Sequence, residues 1–135
     1  MYKKILLFIL FTLIPLEASQ YAIVVNKESS ITNLTRKQVK DLFLMKRHFV
    51  DDIKIIPVNV TSTHDLRKVF EINILKIKEE RLNKYWIKKH FQGISPPITQ
   101  SSDNSMKLFI KNVNGAIGYI PLSKLDKDLK VLYEF

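Results

Sequence analysis

The segment Val58–Arg67, VNVTSTHDLR, gathers the residue types that can hold an anion. An apolar run ends near Val60, three hydroxyl residues follow (Thr61, Ser62 and Thr63), and a helical apolar pattern begins at Leu66. The first turn of a helix presents backbone N–H groups and the positive end of its dipole, which suits a negative charge. Hydroxyls can add O–H donors there, and Arg67, about one turn on, can add a guanidinium fork. The same order of residues also makes an ordinary helix cap with Arg67 on the surface, so both roles stand open. Ser102 heads a second polar-to-apolar transition, and an anion-binding role predicts that it converges with Ser62, Thr63 and Arg67 on one concave surface.

Other chemistries find no support. His48, His64 and His90 lack the close spacing of a helical metal pair. Ser62, His64 and Asp65 are too near one another in the chain to assemble as a hydrolytic triad. Asp51-Asp52 and Glu79-Glu80 are adjacent pairs, whose side chains point apart on most backbones. There is no Cys, hence no thiol nucleophile, disulfide framework or Cys-based zinc site, and no Gly-rich nucleotide loop. The sequence reads as a non-enzyme with neither metal nor cofactor.

The formal charge of +9 comes from 22 Lys and Arg against 13 Asp and Glu. The first residues bear on how that charge is read. Lys3 and Lys4 precede twelve uncharged residues, ILLFILFTLIPL, and small residues follow at Ala18 and Ser19. That run suits a signal-peptide core and falls short of the roughly 20 apolar residues of a membrane span. Residues 1–18 are therefore expected to be a cleaved leader and residues 19–135 an exported, periplasmic or secreted domain. Export and the even spread of Lys argue against nucleic acid as partner and leave anionic solutes, lipid headgroups or an acidic protein.

The remaining chain alternates strand and helix signals. YAIVV at Tyr21–Val25 suits a buried strand. Thr35 and Gln38 have capping-box spacing ahead of Val39, Leu42 and Phe43, which predicts a helix over 36–45. Lys46 to Asp52 reads as a charged turn. KIIPVNV at 54–60 reads as a strand, with Pro57 pointing to an edge or a bulge. Leu66, Val69, Phe70 and Ile74 form one helical stripe, and a further helix covers 78–90 until Gly93 and Pro96-Pro97. Met106, Phe109, Ile110 and Val113 mark the next, with Gly115 placed for a left-handed turn. Strands at 116–120 and 129–133 close a single α/β domain with a mixed sheet and helices on both faces.

Four pieces in one order resemble the phosphate-binding proteins of ABC transporters. They are Leu34-Thr35 with Gln38, Leu42-Phe43 and Lys46; the turn from Pro57 to Phe70; Tyr85-Trp86 with Phe91, Gly93 and Pro96-Pro97; and Gly115 to Tyr119. The match runs from Tyr21 to the C-terminus and is closest to small, single-domain members. The resemblance implies a fold like one lobe of a type II periplasmic binding protein. It also implies an oxyanion site on Ser62, Thr63 and His64, which stand where the family has Ser-Gly-Thr. The family's Arg falls on Val58, and the lobe that completes the cleft has no counterpart. Two functions follow as expectations. One is an exported phosphate or oxyanion-binding module working with a membrane transporter, sensor or porin. The other is an interaction module that keeps the fold without a ligand.

Overall fold

In a computed structural model of the chain, the structure describes residues 9, 12, 13 and 18–135. Most of the expected leader lies outside them. Among the described residues no helix is long and apolar enough to cross a membrane.

The apolar runs become strands of one five-stranded mixed sheet. β1 (Tyr21–Asn26), β4 (Ile56–Val60), β5 (Ile98–Gln100), β6 (Ala116–Pro121) and β7 (Leu129–Glu134) lie in the order β5-β4-β6-β1-β7. β4 runs parallel to both β5 and β6, whereas β1 runs antiparallel to β6 and β7. The charged turn expected over 46–52 is partly a small hairpin, β2 (Phe49–Val50) on β3 (Ile53–Lys54). Pro57 corrects another expectation, since β4 is an inner strand. Its pairing with β5 starts at Val58, so the missing N–H falls just before the ladder on that side.

Successive strand residues point to opposite faces, and β6 shows what covers each. A Cβ on Gly118 would lie 2.4 Å from Met106 Sδ and 2.9 Å from Ile110 Cδ1, so α4 (Asp103–Asn112) packs directly on that face. The next residue, Tyr119, meets Phe43 of α1 (Arg36–Phe43) and Phe70 of α2 (Asp65–Phe70) on the other. Helices thus cover both faces, as the sequence pattern requires. The capping box of α1 forms as read: Thr35 N–H donates to Gln38 Oε1 at 2.8 Å, and Gln38 N–H to Thr35 Oγ1 at 3.2 Å.

The stripe after Leu66 is helical throughout, but its geometry changes midway. α2 passes into a π-helical segment, Glu71–Leu75, where Lys76 N–H reaches back to the Glu71 carbonyl. Arg36 of α1 donates to the Ile74 carbonyl at 2.7 Å and closes that end. α3 (Glu79–Phe91) lies outside, with only Leu82 buried. Among the described residues the buried core runs from Ala22 to Leu132, within residues 19–135.

Candidate functional site

Parallel strands end at the same edge of a sheet, and here this brings two helix starts together. Val60 pairs with Gln100, and Thr61 N–H donates to the Gln100 carbonyl at 3.0 Å. α2 leaves β4 through Thr61–His64, and α4 leaves β5 through Ser101-Ser102. His64 Nε2 consequently lies 3.8 Å from Asp103 Oδ1, the first residue of α4. That carboxylate oxygen is buried and has no hydrogen-bond partner among the described residues. A buried acceptor without a donor is uncommon, and His64 Nε2 stands just beyond hydrogen-bond distance of this one.

The six residues read from the sequence are unequally free. Ser62 and Thr63 are exposed, and Thr61 is half-buried. His64, rather than a hydroxyl residue, caps α2: its Nδ1 accepts the Leu66 N–H at 3.2 Å. A ring nitrogen that accepts carries no proton, so in neutral His64 the proton sits on Nε2, toward Asp103. Ser102 caps α4 in a box with Ser105, each hydroxyl accepting the other's backbone N–H. Ser62 and Arg67 share a recess of about 130 Å³, but Thr63 and Ser102 do not line it, and Glu71 and Glu79 do. The four donors do not meet on one concave surface.

Arg67 is engaged by the protein itself. Its Nη1 donates to the Val60 carbonyl at 2.7 Å, and its Nε to Glu71 Oε1 at 2.8 Å. Beneath it, Tyr119 Oη donates to Asn59 Oδ1 at 3.0 Å and accepts the Val60 N–H at 3.2 Å. Burial pushes the Tyr119 hydroxyl well above its ordinary pKa, so it stays protonated and remains a donor. Sequence reasoning missed Asn59, Glu71, Tyr119 and Asp103; polar Asn59 inside an apolar strand and Glu71, four residues after Arg67, each gave a signal. Arg67 thus ties the end of β4 to the π-helical segment, and Arg67→Ala is expected to cost about 2 kcal/mol in urea unfolding. A loss below about 0.5 kcal/mol would show these contacts to be solvent-equivalent.

Charge elsewhere does not help this edge. Lys107 and Lys111 of α4 both contact Asp126 Oδ2 at 3.0 Å, and the Lys111 hydrogen bond leads in lowering the Asp126 carboxyl to about 2. A larger recess, of about 520 Å³, opens at the opposite edge of the sheet, where β1 ends and β6 begins. It is lined by Asn26, Glu28, Ser29 and Ser30 with no cation, which does not suit an anion.

Solved structures share this fold. An ABC-type phosphate transport receptor from Vibrio cholerae superposes with a TM-score of 0.67 at 22% identity, over 84% of this chain and 45% of that one. A putative phosphate ABC transporter substrate-binding protein with bound phosphate, from Clostridium perfringens, gives 0.68 at 21%, over 84% and 44%. PstS from Borrelia burgdorferi gives 0.63 at 17%, over 84% and 46%. The chain has the fold of one lobe of these proteins. It spans less than half the length of each, and identities this low establish the fold alone. No protein-family model and no curated protein matches the sequence.

Proposed function

We propose that this chain is an exported oxyanion-binding half-module whose ligand, phosphate or a close analogue, sits between the starts of α2 and α4. The observation that carries this reading is the parallel β4–β5 pair, which sets two helix N-termini and the exposed Ser62 and Thr63 at one edge. Asp103 refines the ligand once its side chain turns out to the edge: hydrogenphosphate brings an O–H that the unpartnered Oδ1 can then accept, and sulfate at neutral pH does not. Solute binding without catalysis is in keeping with the receptors that share the fold. A membrane transporter, sensor or porin is the partner expected of such a module.

Energetics make the half-site weak by itself. A helix dipole contributes about 0.3–1 kcal/mol and a charge-assisted hydrogen bond about 1.5–3, against at least about 4 for immobilising a ligand. The existing caps have already taken several of the backbone donors. Millimolar affinity follows for the single chain, and tighter binding needs a second surface.

The test is thermal unfolding of residues 19–135 in phosphate, sulfate and carboxylate at fixed ionic strength. At about ten times the dissociation constant, binding adds about 1.4 kcal/mol, a rise of several degrees in Tm. Phosphate should raise Tm more than sulfate, Ser62→Ala with Thr63→Ala should abolish the rise, and Asp103→Asn should remove the preference. No phosphate-specific rise at about 20 mM would sink the half-module. The second reading, an interaction module without ligand, would then stand. It is favoured by the capture of Arg67 and Ser102 by the protein's own groups.

A further inference from the structure

α3 is the least integrated helix of the domain. Its inner side holds buried Leu82 and half-buried Tyr85 and Trp86; Tyr85 Oη donates to the Leu44 carbonyl at 2.6 Å. At 100° per residue the outer side centres on Ile87 and Phe91, one turn apart. Ile87 is 60% exposed and Phe91 85%. Exposed Lys84 and Lys88 stand beside them, with Arg81 at the border and Glu80 the one acid in line with the pair. From Lys76 to Gln92 there are six Lys and Arg against Glu79 and Glu80. None of those six cations enters an ion pair among the described residues.

Two large apolar side chains exposed one turn apart and rimmed by unpaired cations mark a surface for interaction. One surface satisfies both kinds of group at once. The ring and the Ile87 side chain enter the acyl boundary of a bilayer, while the ammonium groups stay at the lipid phosphates with their stems along the apolar patch. We propose that the outer side of α3 docks the domain on anionic phospholipid. The face is a convex helix side rather than a groove, so it fits a deformable lipid surface better than a rigid acidic protein. A second copy would bring the same positive face and be repelled.

Residues 19–135 hold the buried core of the described residues and leave out the apolar run 5–16, which makes them the form to test. They are sedimented with vesicles of phosphatidylglycerol mixed with phosphatidylcholine, and with phosphatidylcholine alone. Trp86, the single Trp, sits on the inner side of α3, so the insertion probe is Phe91→Trp combined with Trp86→Phe, read through quenching by brominated acyl chains. Sedimentation with the anionic vesicles only, weakened by salt and accompanied by quenching of the introduced tryptophan, is the expected result. Lys84→Gln with Lys88→Gln should lower partitioning about thirtyfold, and Ile87→Ser with Phe91→Ser about tenfold or more. All four positions are exposed, so Tm should be unchanged in both variants. Failure to sediment, sedimentation without quenching, or binding indifferent to Ile87→Ser with Phe91→Ser would each overturn the proposal, and an acidic protein ligand would take its place.

Discussion

Gly115→Ala is expected to destabilise the domain by more than about 3 kcal/mol, combining backbone strain with a steric clash. Gly115 has φ +78°, in the left-handed region, on the turn from α4 into β6. An added Cβ would stand 2.0 Å from the Lys54 carbonyl oxygen, a contact no side-chain rotation relieves. Nor can the backbone retreat easily, since the Gly115 carbonyl accepts the Ile56 N–H at 2.9 Å where β4 and β6 begin their pairing. Gly93 supplies the control. Its φ is +75°, but nothing lies within 4 Å of its missing Cβ. Gly93→Ala therefore carries strain alone, about 1 kcal/mol. Urea unfolding of the two variants measures the difference; equal losses would mean that β3 does not press on this turn.

That glycine was among the features legible in the sequence, and the reasons differ from element to element. Thr35 with Gln38 and Gly115 announced local structure because caps and left-handed turns are governed by a few adjacent residues. Leu66, Phe70 and Ile74 showed the helix through its apolar period, but not its passage into π geometry, which depends on how Arg36 and Arg67 meet its carbonyls and Glu71. β5 left no mark: it has three residues, ITQ, two of them exposed, with no alternation to detect. Yet β5 is the strand that sets α4 beside α2. The sequence therefore presented Thr61–Thr63 and Ser102 as separate caps and could not pair His64 with Asp103.

Arg67 teaches the complementary lesson. A guanidinium one turn after three hydroxyl residues is the right type at the right spacing for an anion. Whether it serves depends on competing acceptors, and two of these, the Val60 carbonyl and Glu71, lie within its reach. Glu71 is four residues along the same helix and was visible as an i, i+4 partner. The Val60 carbonyl was not, because its exposure depends on where β4 stops pairing. An Arg held in this way positions the edge and lends the site little free charge.

The core under that edge is where a single substitution should tell most. Phe70→Ala is expected to cost about 3–5 kcal/mol, the range for removing a fully buried aromatic ring. Phe70 stacks on Tyr119 with ring centroids 4.1 Å apart, meets Phe43 at 4.7 Å and approaches Phe135 edge-on at 6.2 Å. It joins α1, α2, β6 and the C-terminal residue in one cluster, and Tyr119 carries the hydroxyl that holds Asn59 and the Val60 N–H. Loss of the ring leaves a cavity between the end of α2, α1 and β6, which close-packed neighbours fill only in part. Phe70→Leu keeps much of the volume and should lose less than half as much. Guanidinium unfolding monitored at Trp86 separates the cases, because Trp86 lies on α3 outside this cluster and reports the global transition. A loss under about 1.5 kcal/mol for Phe70→Ala would mean that α2 settles onto the sheet without the ring. The placement of His64 beside Asp103 would then owe little to the core and rest chiefly on the pairing of β4 with β5.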